Sequence, residues 1–109
     1  MSQFDDREKG YEQKYRHDKE MEFKVNARRN KLLGLWAAGQ LQIHGAEAEV
    51  YAKSVVMADF EKPGDDDVVE KVLADFKAKG VAMTEHRVRK EMADLMSAAR
   101  DQVIREVKA

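Results

Sequence analysis

The sequence predicts an all-α protein, a small antiparallel four-helix bundle preceded by a flexible N-terminal segment. The chain has a single Pro and is rich in Ala, Glu, Lys, Leu and Met, which are strong helix formers. Four stretches with apolar residues at helical spacing are separated by short turns that contain Gly or Pro. A length of 109 residues allows one modest core, so we expect a single packed domain.

Residues 1–18 are predicted to form a mobile segment that is distinct from the bundle of residues 19–109. The large apolar side chains of this segment are few and share one helix face: Phe4, Tyr11 and Tyr15. Gly10 disfavours a helix here by about 1 kcal/mol relative to Ala. Since the segment has too little apolar surface to order itself alone, we expect it to fold on a partner that covers the aromatic face. An ordinary frayed terminus is the alternative.

The first bundle helix is predicted over residues 19–43. Its centre, from Leu32 to Leu41, is nearly free of polar side chains and contains the only Trp, Trp36. A helix that is apolar around its whole circumference needs partners on more than one side, so we expect this stretch to be the central core helix. His44-Gly45 should end the helix, because Gly readily adopts the left-handed conformation that follows a helix.

The second helix is predicted over residues 46–60 and should be broken by Pro63-Gly64. The third is predicted over residues 66–79, with Asp67 and Glu70 at capping spacing. The fourth should begin after a Thr84 cap and run nearly to the chain end. The side chains expected to face the core are Ala48, Tyr51, Ala52, Val55 and Val56, then Val69, Val72, Leu73 and Phe76, then Val88, Met92, Leu95, Ala99, Val103 and Val107.

Composition excludes several classes of function. The 20 basic and 21 acidic residues are interspersed, so the chain lacks the strong basic field that holds nucleic acid or a membrane surface. The absence of Cys excludes disulfides and thiolate metal sites. No apolar run approaches the roughly 18 residues of a membrane span, and the first residues do not form a signal peptide. We therefore expect a cytoplasmic protein that binds no nucleic acid and does not insert into a membrane.

Nothing in the sequence favours an enzyme, a metal site or a cofactor. His17, His44 and His86 lie on separate predicted elements and lack the spacing of paired metal ligands. The three adjacent carboxylates of Asp65–Asp67 do not converge on one cation, so a helix cap is the favoured interpretation. The sequence has no glycine-rich phosphate loop and no nucleophile elbow.

A basic collar, Arg28-Arg29-Asn30-Lys31, immediately precedes the apolar stretch. Consecutive residues fan over most of a helix circumference, so the collar is not a one-sided nucleic-acid patch, and we expect it to stay out of the core. The favoured interpretation is a solvated ring where the helix leaves the bundle. The alternative is a contact of Arg28, Arg29 and Lys31 with a phosphate group or a protein partner, because Arg offers forked recognition of both phosphates and carboxylates.

Three longer motifs carry a resemblance to a known family. They run from Phe4 to Glu12, from Ala27 to Ala38 and from Asp59 to Asp65. Together they resemble the inhibitor zeta subunit of alphaproteobacterial F-type ATP synthases. The resemblance covers essentially the whole chain, and the second motif is far more specific than a short pattern. It implies a four-helix bundle with a mobile N-terminal inhibitory segment, at about Ser2 to Arg16 in this chain.

In that family, the segment inserts at a catalytic α/β interface beside the central rotor stalk and blocks rotation in the direction of ATP hydrolysis. The partner-binding residues that we expect here are Phe4, Asp5, Asp6, Arg7, Glu8, Tyr11, Glu12, Lys14 and Tyr15. The implied partners are the α, β and central stalk subunits, and the implied location is peripheral, at the cytoplasmic face of the inner membrane. The mechanism is steric and uses no cofactor. We expect the free protein to be a monomer.

Two other classes of function remain as alternatives. An α-helical enzyme would need a concave site with converging titratable groups, which an ATPase assay of the chain alone would reveal. A small helical nucleotide-binding or protein-interaction module would use the basic collar, and salt-dependent binding to ATP would reveal it.

Overall fold

Four helices follow one another along the chain: α1 Ser2–Gln40, α2 Ala46–Glu61, α3 Asp65–Ala78 and α4 Glu85–Lys108. The computed structural model describes residues 2–61 and 64–108, and the side chains of residues 19–59 and 64–107. That part of the chain contains no strand. The predicted all-α class and the four helices are therefore confirmed, and the bounds of α2 and α3 differ from the predicted ones by a single residue.

The helices pack in a cycle, with α1 against α2 and α4, and α3 against α2 and α4. Neighbours run antiparallel, as two contacts between α1 and α4 illustrate. Arg28 of α1 bonds to Gln102 of α4, whereas the later residue Trp36 contacts the earlier residue Arg87. Short turns between amphipathic helices produce this arrangement, because each helix can bury its apolar face only against its neighbours.

The main core lies where all four helices meet. Its buried residues are Leu33, Ala37 and Leu41 of α1, Val55 of α2, Val68, Val69, Val72 and Phe76 of α3, and Val88 and Met92 of α4. Burial of one such large side chain contributes about 1.5–3 kcal/mol relative to exposure. Six of them were predicted to face the core: Val55, Val69, Val72, Phe76, Val88 and Met92. The three from α1 lie in the predicted apolar stretch, and the buried Val68 was not among the predicted core positions.

The described residues of a second, smaller core belong to α1 and α4. Val25 is buried against Ala99 and Val103, and Met21, Leu32 and Met96 pack around them. We call the part of the molecule formed by residues 19–32 of α1 and 96–107 of α4 the two-helix arm. Arg28 contacts Glu106, which lies two residues before the end of α4, so α1 continues toward its N terminus past the end of α4.

The end of α1 differs from the prediction. The helix ends at Gln40, and Gln42 adopts the left-handed conformation, with φ 62°. The N–H of Ile43 donates to the carbonyl of Ala38 at 2.8 Å, and the N–H of Gln42 donates to that of Gly39 at 3.2 Å, which is the Schellman pattern. The expectation that Gly45 follows the helix in this role was wrong. Gly45 does have a positive φ of 64°, but it lies directly before α2.

The two predicted helix starts have different outcomes. Thr84 caps α4 as predicted, since its Oγ1 accepts the N–H of Arg87 at 3.1 Å. The cap predicted at Asp67 was wrong, because α3 begins at Asp65 after an N-cap Gly64 that has no side-chain cap bond. Asp65–Asp67 therefore occupy the first turn, where their negative charge complements the helix dipole.

Burial around the apolar stretch of α1 is one-sided. Leu33, Ala37 and Ala38 are fully buried, whereas Trp36 is only partly buried and Gly39 is exposed. The expectation of a helix buried all round was wrong, because the inner side of α1 alone faces its neighbours in a four-helix bundle. The same geometry leaves Val107, near the end of α4, 41% exposed, although it was predicted to face the core.

Candidate functional site

The candidate inhibitory residues lie in the N-terminal half of α1, in the segment that runs toward Ser2. The side chains of residues 2–18 lie outside the described part of the structure. The contacts predicted for this segment, and its predicted mobility, therefore stay predictions. The structure does describe the basic collar, which links the segment to the bundle.

Arg29 is buried, with 4% of its surface exposed, although the collar was expected to stay out of the core. Its Nη2 donates to Asp65 Oδ1 at 2.7 Å, and its Nη1 lies 3.4 Å from the other carboxylate oxygen. Its Nε and Nη2 also donate to Asn30 Oδ1, at 3.2 and 3.0 Å. A buried cation needs such a set of acceptors, because an unpaired charge is strongly disfavoured in an apolar interior. Arg29 thus joins α1 to the start of α3.

Asn30 is fully buried beside Arg29. Its Oδ1 accepts two bonds from the guanidinium, and its Nδ2 has no hydrogen-bond partner among the described residues. The pair forms a polar layer in α1 between the main core, which includes Leu33, and the core of the two-helix arm, which includes Val25. The expectation that the whole collar stays solvated was therefore wrong for Arg29 and Asn30.

Arg28 points toward α4. Its Nη1 donates to Gln102 Oε1 at 2.9 Å, and its Nη2 donates to Glu106 Oε1 at 2.5 Å. Its side chain is 24% exposed, and that of Glu106 is 58% exposed. Gln102 and Glu106 lie four residues apart and thus on the same face of α4. The guanidinium fork therefore spans two consecutive turns of the partner helix.

Lys31 is exposed. The collar thus divides into Arg28, which bonds to α4, Arg29 and Asn30, which are buried beside α3, and Lys31, which faces solvent. Sequence reasoning missed this division, because the acceptors Asp65, Gln102 and Glu106 are far away in the chain. Contact of Arg28, Arg29 and Lys31 with a phosphate group or a partner stays a prediction.

A further ion cluster ties α3 to α4. Asp66 Oδ1 accepts from Arg89 Nη2 at 2.6 Å, and Glu85 accepts from the same nitrogen at 3.0 Å. Hydrogen bonds from the guanidinium to Asp66 and then to Glu85 raise the pKa of Arg89, so its positive charge is secure. Two carboxylates of the predicted cap therefore bind arginines of other helices, because Asp65 binds Arg29 and Asp66 binds Arg89.

A further polar contact between helices joins α2 to α3. The Tyr51 hydroxyl donates to Asp75 Oδ2 at 2.8 Å, and Lys71 Nζ donates to the same oxygen at 2.8 Å. Burial, assisted by the Asp75 carboxylate, raises the pKa of Tyr51 well above its usual value, so the hydroxyl stays protonated as a donor. The Lys71 ammonium also lies 5.2 Å from the centre of the Tyr51 ring. The arrangement is that of a helix-to-helix contact.

The described residues contain no group of three or more His, Cys, Asp or Glu that could hold a metal ion. None of the described helices combines the length and the apolar character needed to cross a membrane.

Comparison with known proteins identifies the family. A family model described as "ATPase inhibitor subunit zeta" matches residues 1–102. The chain belongs to this family. Membership confirms the resemblance of the sequence motifs, and it makes the protein an inhibitor subunit and not a catalytic enzyme. It also implies an interaction of this zeta-family protein with F-type ATP synthase.

The fold of this zeta-family protein is also similar to a solved one. A structure described as the "Solution NMR structure of the protein" is 48% identical in sequence and superposes with a TM-score of 0.70. The similarity covers 79% of this chain and 98% of the other. Among curated proteins, no match is found. The family model is therefore the comparison that carries functional information.

The polar layer of the zeta-family bundle yields a stability prediction. Asp65→Asn removes the carboxylate that faces the buried Arg29 guanidinium. We expect a loss of about 1–2 kcal/mol of unfolding free energy, below the roughly 3–5 kcal/mol of a fully buried pair because Asp65 is 57% exposed. Urea unfolding followed by far-UV circular dichroism measures the loss.

Asp67→Asn is the matched control for this prediction. Asp67 lies in the same first turn of α3, so its replacement changes the interaction with the helix dipole equally. It makes no ion pair within the described part of the chain. We expect its cost to stay below about 1 kcal/mol. Equal costs for Asp65→Asn and Asp67→Asn would show that the contact with Arg29 contributes nothing to stability.

Proposed function

We propose that this protein inhibits ATP hydrolysis by F-type ATP synthase, by inserting its N-terminal segment at a catalytic α/β interface beside the central stalk. The observation that carries the proposal is the match to the zeta inhibitor family over residues 1–102, a range that includes the whole segment. The proposed partners are the α, β and central stalk subunits. The proposed location is the cytoplasmic face of the inner membrane, through attachment to the enzyme.

The chemistry of the segment supports a binding role. Phe4, Tyr11 and Tyr15 share one face of a helix, and charged residues occupy the positions between them. Buried aromatic side chains usually supply most of the affinity at a protein interface, and charges at the rim mainly orient the partner. In the proposed complex the three aromatics pack into the interface. The polar contacts at its edge come from Asp5, Asp6, Arg7, Glu8, Glu12 and Lys14.

The bundle can anchor the inhibitory segment, because α1 belongs to both. The described residues that form the two cores lie between Met21 and Val103. α1 continues from the bundle toward Ser2, past the end of α4. A segment on a helix that leaves a folded bundle can act as a wedge without any chemical step. The inhibition is therefore steric and uses no cofactor.

Deletion of residues 2–16 tests the proposed function. We expect the truncated protein to keep the helices of its bundle and its cooperative unfolding transition, because all the described core residues remain. We expect it to lose inhibition of ATP hydrolysis by the isolated catalytic head that lacks its own copy of the subunit. Undiminished inhibition by the truncated protein would contradict the proposal.

Two full-length variants separate the contributions within the segment. Replacement of Phe4, Tyr11 and Tyr15 with Ala keeps every charge, whereas replacement of Asp5 and Asp6 with Asn keeps every aromatic ring. We expect the first variant to raise the half-inhibitory concentration much more than the second, because aromatic anchors dominate affinity. A larger effect of the charge variant would overturn the assignment of the aromatic face to the interface.

A further inference from the structure

The two-helix arm has a small described core. Its buried residues are Val25, Ala99 and Val103, and all three side chains are small or medium in size. The described residues of this core belong to α1 and α4. Since the arm leads into the segment, the packing of α1 against the end of α4 sets the direction in which α1 leaves the bundle.

Arg28 makes a polar contact between the two helices of the arm. Its two terminal nitrogens bind Gln102 and Glu106, so the fork fixes the rotation of α1 relative to α4 as well as its distance. We call these three residues the latch.

The length of α1 amplifies any change at the latch. From Arg28 to Lys19, the first residue of the bundle, the helix spans nine residues, which is about 14 Å at a rise of about 1.5 Å per residue. A rotation of about 20° at Arg28 would displace the point at which the segment leaves the bundle by about 5 Å and would turn its direction by the same angle. A change of this size would hinder the entry of the segment into a binding site of fixed shape.

We propose that Arg28 is a positioning residue for inhibition: through Gln102 and Glu106, it fixes the direction in which the inhibitory segment leaves the bundle. The proposal rests on the proposed function above. It differs from a direct contact between Arg28 and the partner, because the guanidinium already donates from both terminal nitrogens to α4. In this view, Arg28 acts on the partner only through the orientation of the segment.

Charge reversal distinguishes the two roles. Arg28→Glu and Glu106→Arg each place like charges opposite one another, and the double variant restores an ion pair of reversed sign. If each single variant leaves about one fifth of the molecules with a correctly directed segment, the half-inhibitory concentration rises about five-fold. We expect the double variant to recover most of this loss. Failure of the double variant to recover inhibition would overturn the proposal and indicate a direct contact of Arg28 with the partner.

Arg105→Gln is the matched control on the same arm. Arg105 is exposed, lies beside Glu106 in α4, and makes no ion pair within the described residues. Its replacement removes one positive charge, as Arg28→Gln does. We expect Arg28→Gln to weaken inhibition and Arg105→Gln to leave it unchanged. Equal weakening by both would mean that the net charge of the arm, and not the latch, determines potency.

A distance measurement tests the latch without the enzyme. The chain has no Cys, so Glu20→Cys and Glu70→Cys introduce two unique sites for nitroxide labels. Both positions are exposed, one at the start of the arm and the other on α3. We expect Arg28→Gln to broaden or shift the distance distribution between the labels while the melting temperature changes little. An unchanged distribution would overturn the proposal.

This measurement also separates the two proposals. If the full-length protein fails to inhibit, the proposed function fails, yet the distance distribution still reports whether the latch directs α1. If the protein inhibits and the distribution does not respond to Arg28→Gln, the function stands and the latch proposal fails.

Discussion

Replacement of Phe76 with Ala is expected to destabilise the bundle by about 3–5 kcal/mol. Phe76 is 1% exposed in the main core, and its ring meets Trp36 edge-on, with centroids 6.0 Å apart. Truncation removes this burial and leaves a cavity in the main core. The loss is a large fraction of the roughly 5–15 kcal/mol that stabilises an ordinary domain. Urea unfolding at a fixed temperature measures it.

Trp36→Ala is the comparison for this prediction. Trp36 is only partly buried, and one side of its ring faces the Arg87 guanidinium at 5.7 Å from the ring centre. We expect a smaller loss than for Phe76, about 1–3 kcal/mol, because the truncated surface is already partly in water. A larger loss for Trp36→Ala than for Phe76→Ala would mean that Trp36, and not Phe76, is the more important aromatic side chain of the core.

Replacement of Gly34 with Ala is expected to separate α1 from α2 and to cost about 1–3 kcal/mol. A Cβ atom at Gly34 would lie 2.6 Å from the Cα of Ala52 and 3.1 Å from its Cβ. The nearest atom belongs to the backbone, so relief requires a shift of a whole helix. Thermal unfolding of the variant measures the cost.

Gly39→Ala is a control with the opposite expected sign. A Cβ atom at Gly39 meets no atom within 4 Å, and the residue lies in the last turn of the same helix. We expect a gain of up to about 1 kcal/mol, because Ala has the higher helix propensity and restricts the unfolded chain. Destabilisation by both replacements to the same extent would mean that helix contact at Gly34 is not the cause.

Much of the fold follows from local spacing in the sequence. The Thr84 hydroxyl caps α4 by accepting the N–H of Arg87, three residues later in the chain. Donor and acceptor therefore belong to the same short stretch of sequence. The inward face of α3 is equally local, since Val69, Val72 and Phe76 recur at helical intervals and are all buried. Features of this kind are set by the chain within one or two turns.

Some features that sequence reasoning missed depend on distant residues. Arg29 is buried because Asp65, 36 positions later in the chain, supplies the carboxylate at the start of α3. The end of α1 was missed for a different, local reason: Gln42 adopts the left-handed conformation and the helix is closed by bonds to Ala38 and Gly39, although Gly45 was the better candidate by residue type. Local patterns do not specify which helix face meets which partner.

The candidate site also has a part that the sequence predicts and a part that depends on distant residues. The aromatic face of the segment can be predicted from the spacing of Phe4, Tyr11 and Tyr15, and the family motifs supply the partner. The latch cannot be predicted in this way. The sequence favours a solvated Arg28 with partner binding as the alternative, and it does not show that α4 lies beside this residue. The antiparallel register of α1 and α4 brings Gln102 and Glu106 to the guanidinium.

The close approach of Gly34 to Ala52 has a consequence for conformational entropy. Gly and Ala have no side-chain rotamers to lose on folding, so this contact between α1 and α2 forms without rotamer loss. Arg28 and Arg29, in contrast, each carry about 2 kcal/mol of rotamer entropy, and both are held by hydrogen bonds. The entropy lost by ordering these two arginine side chains is therefore located where α1 leaves the bundle toward its N-terminal segment.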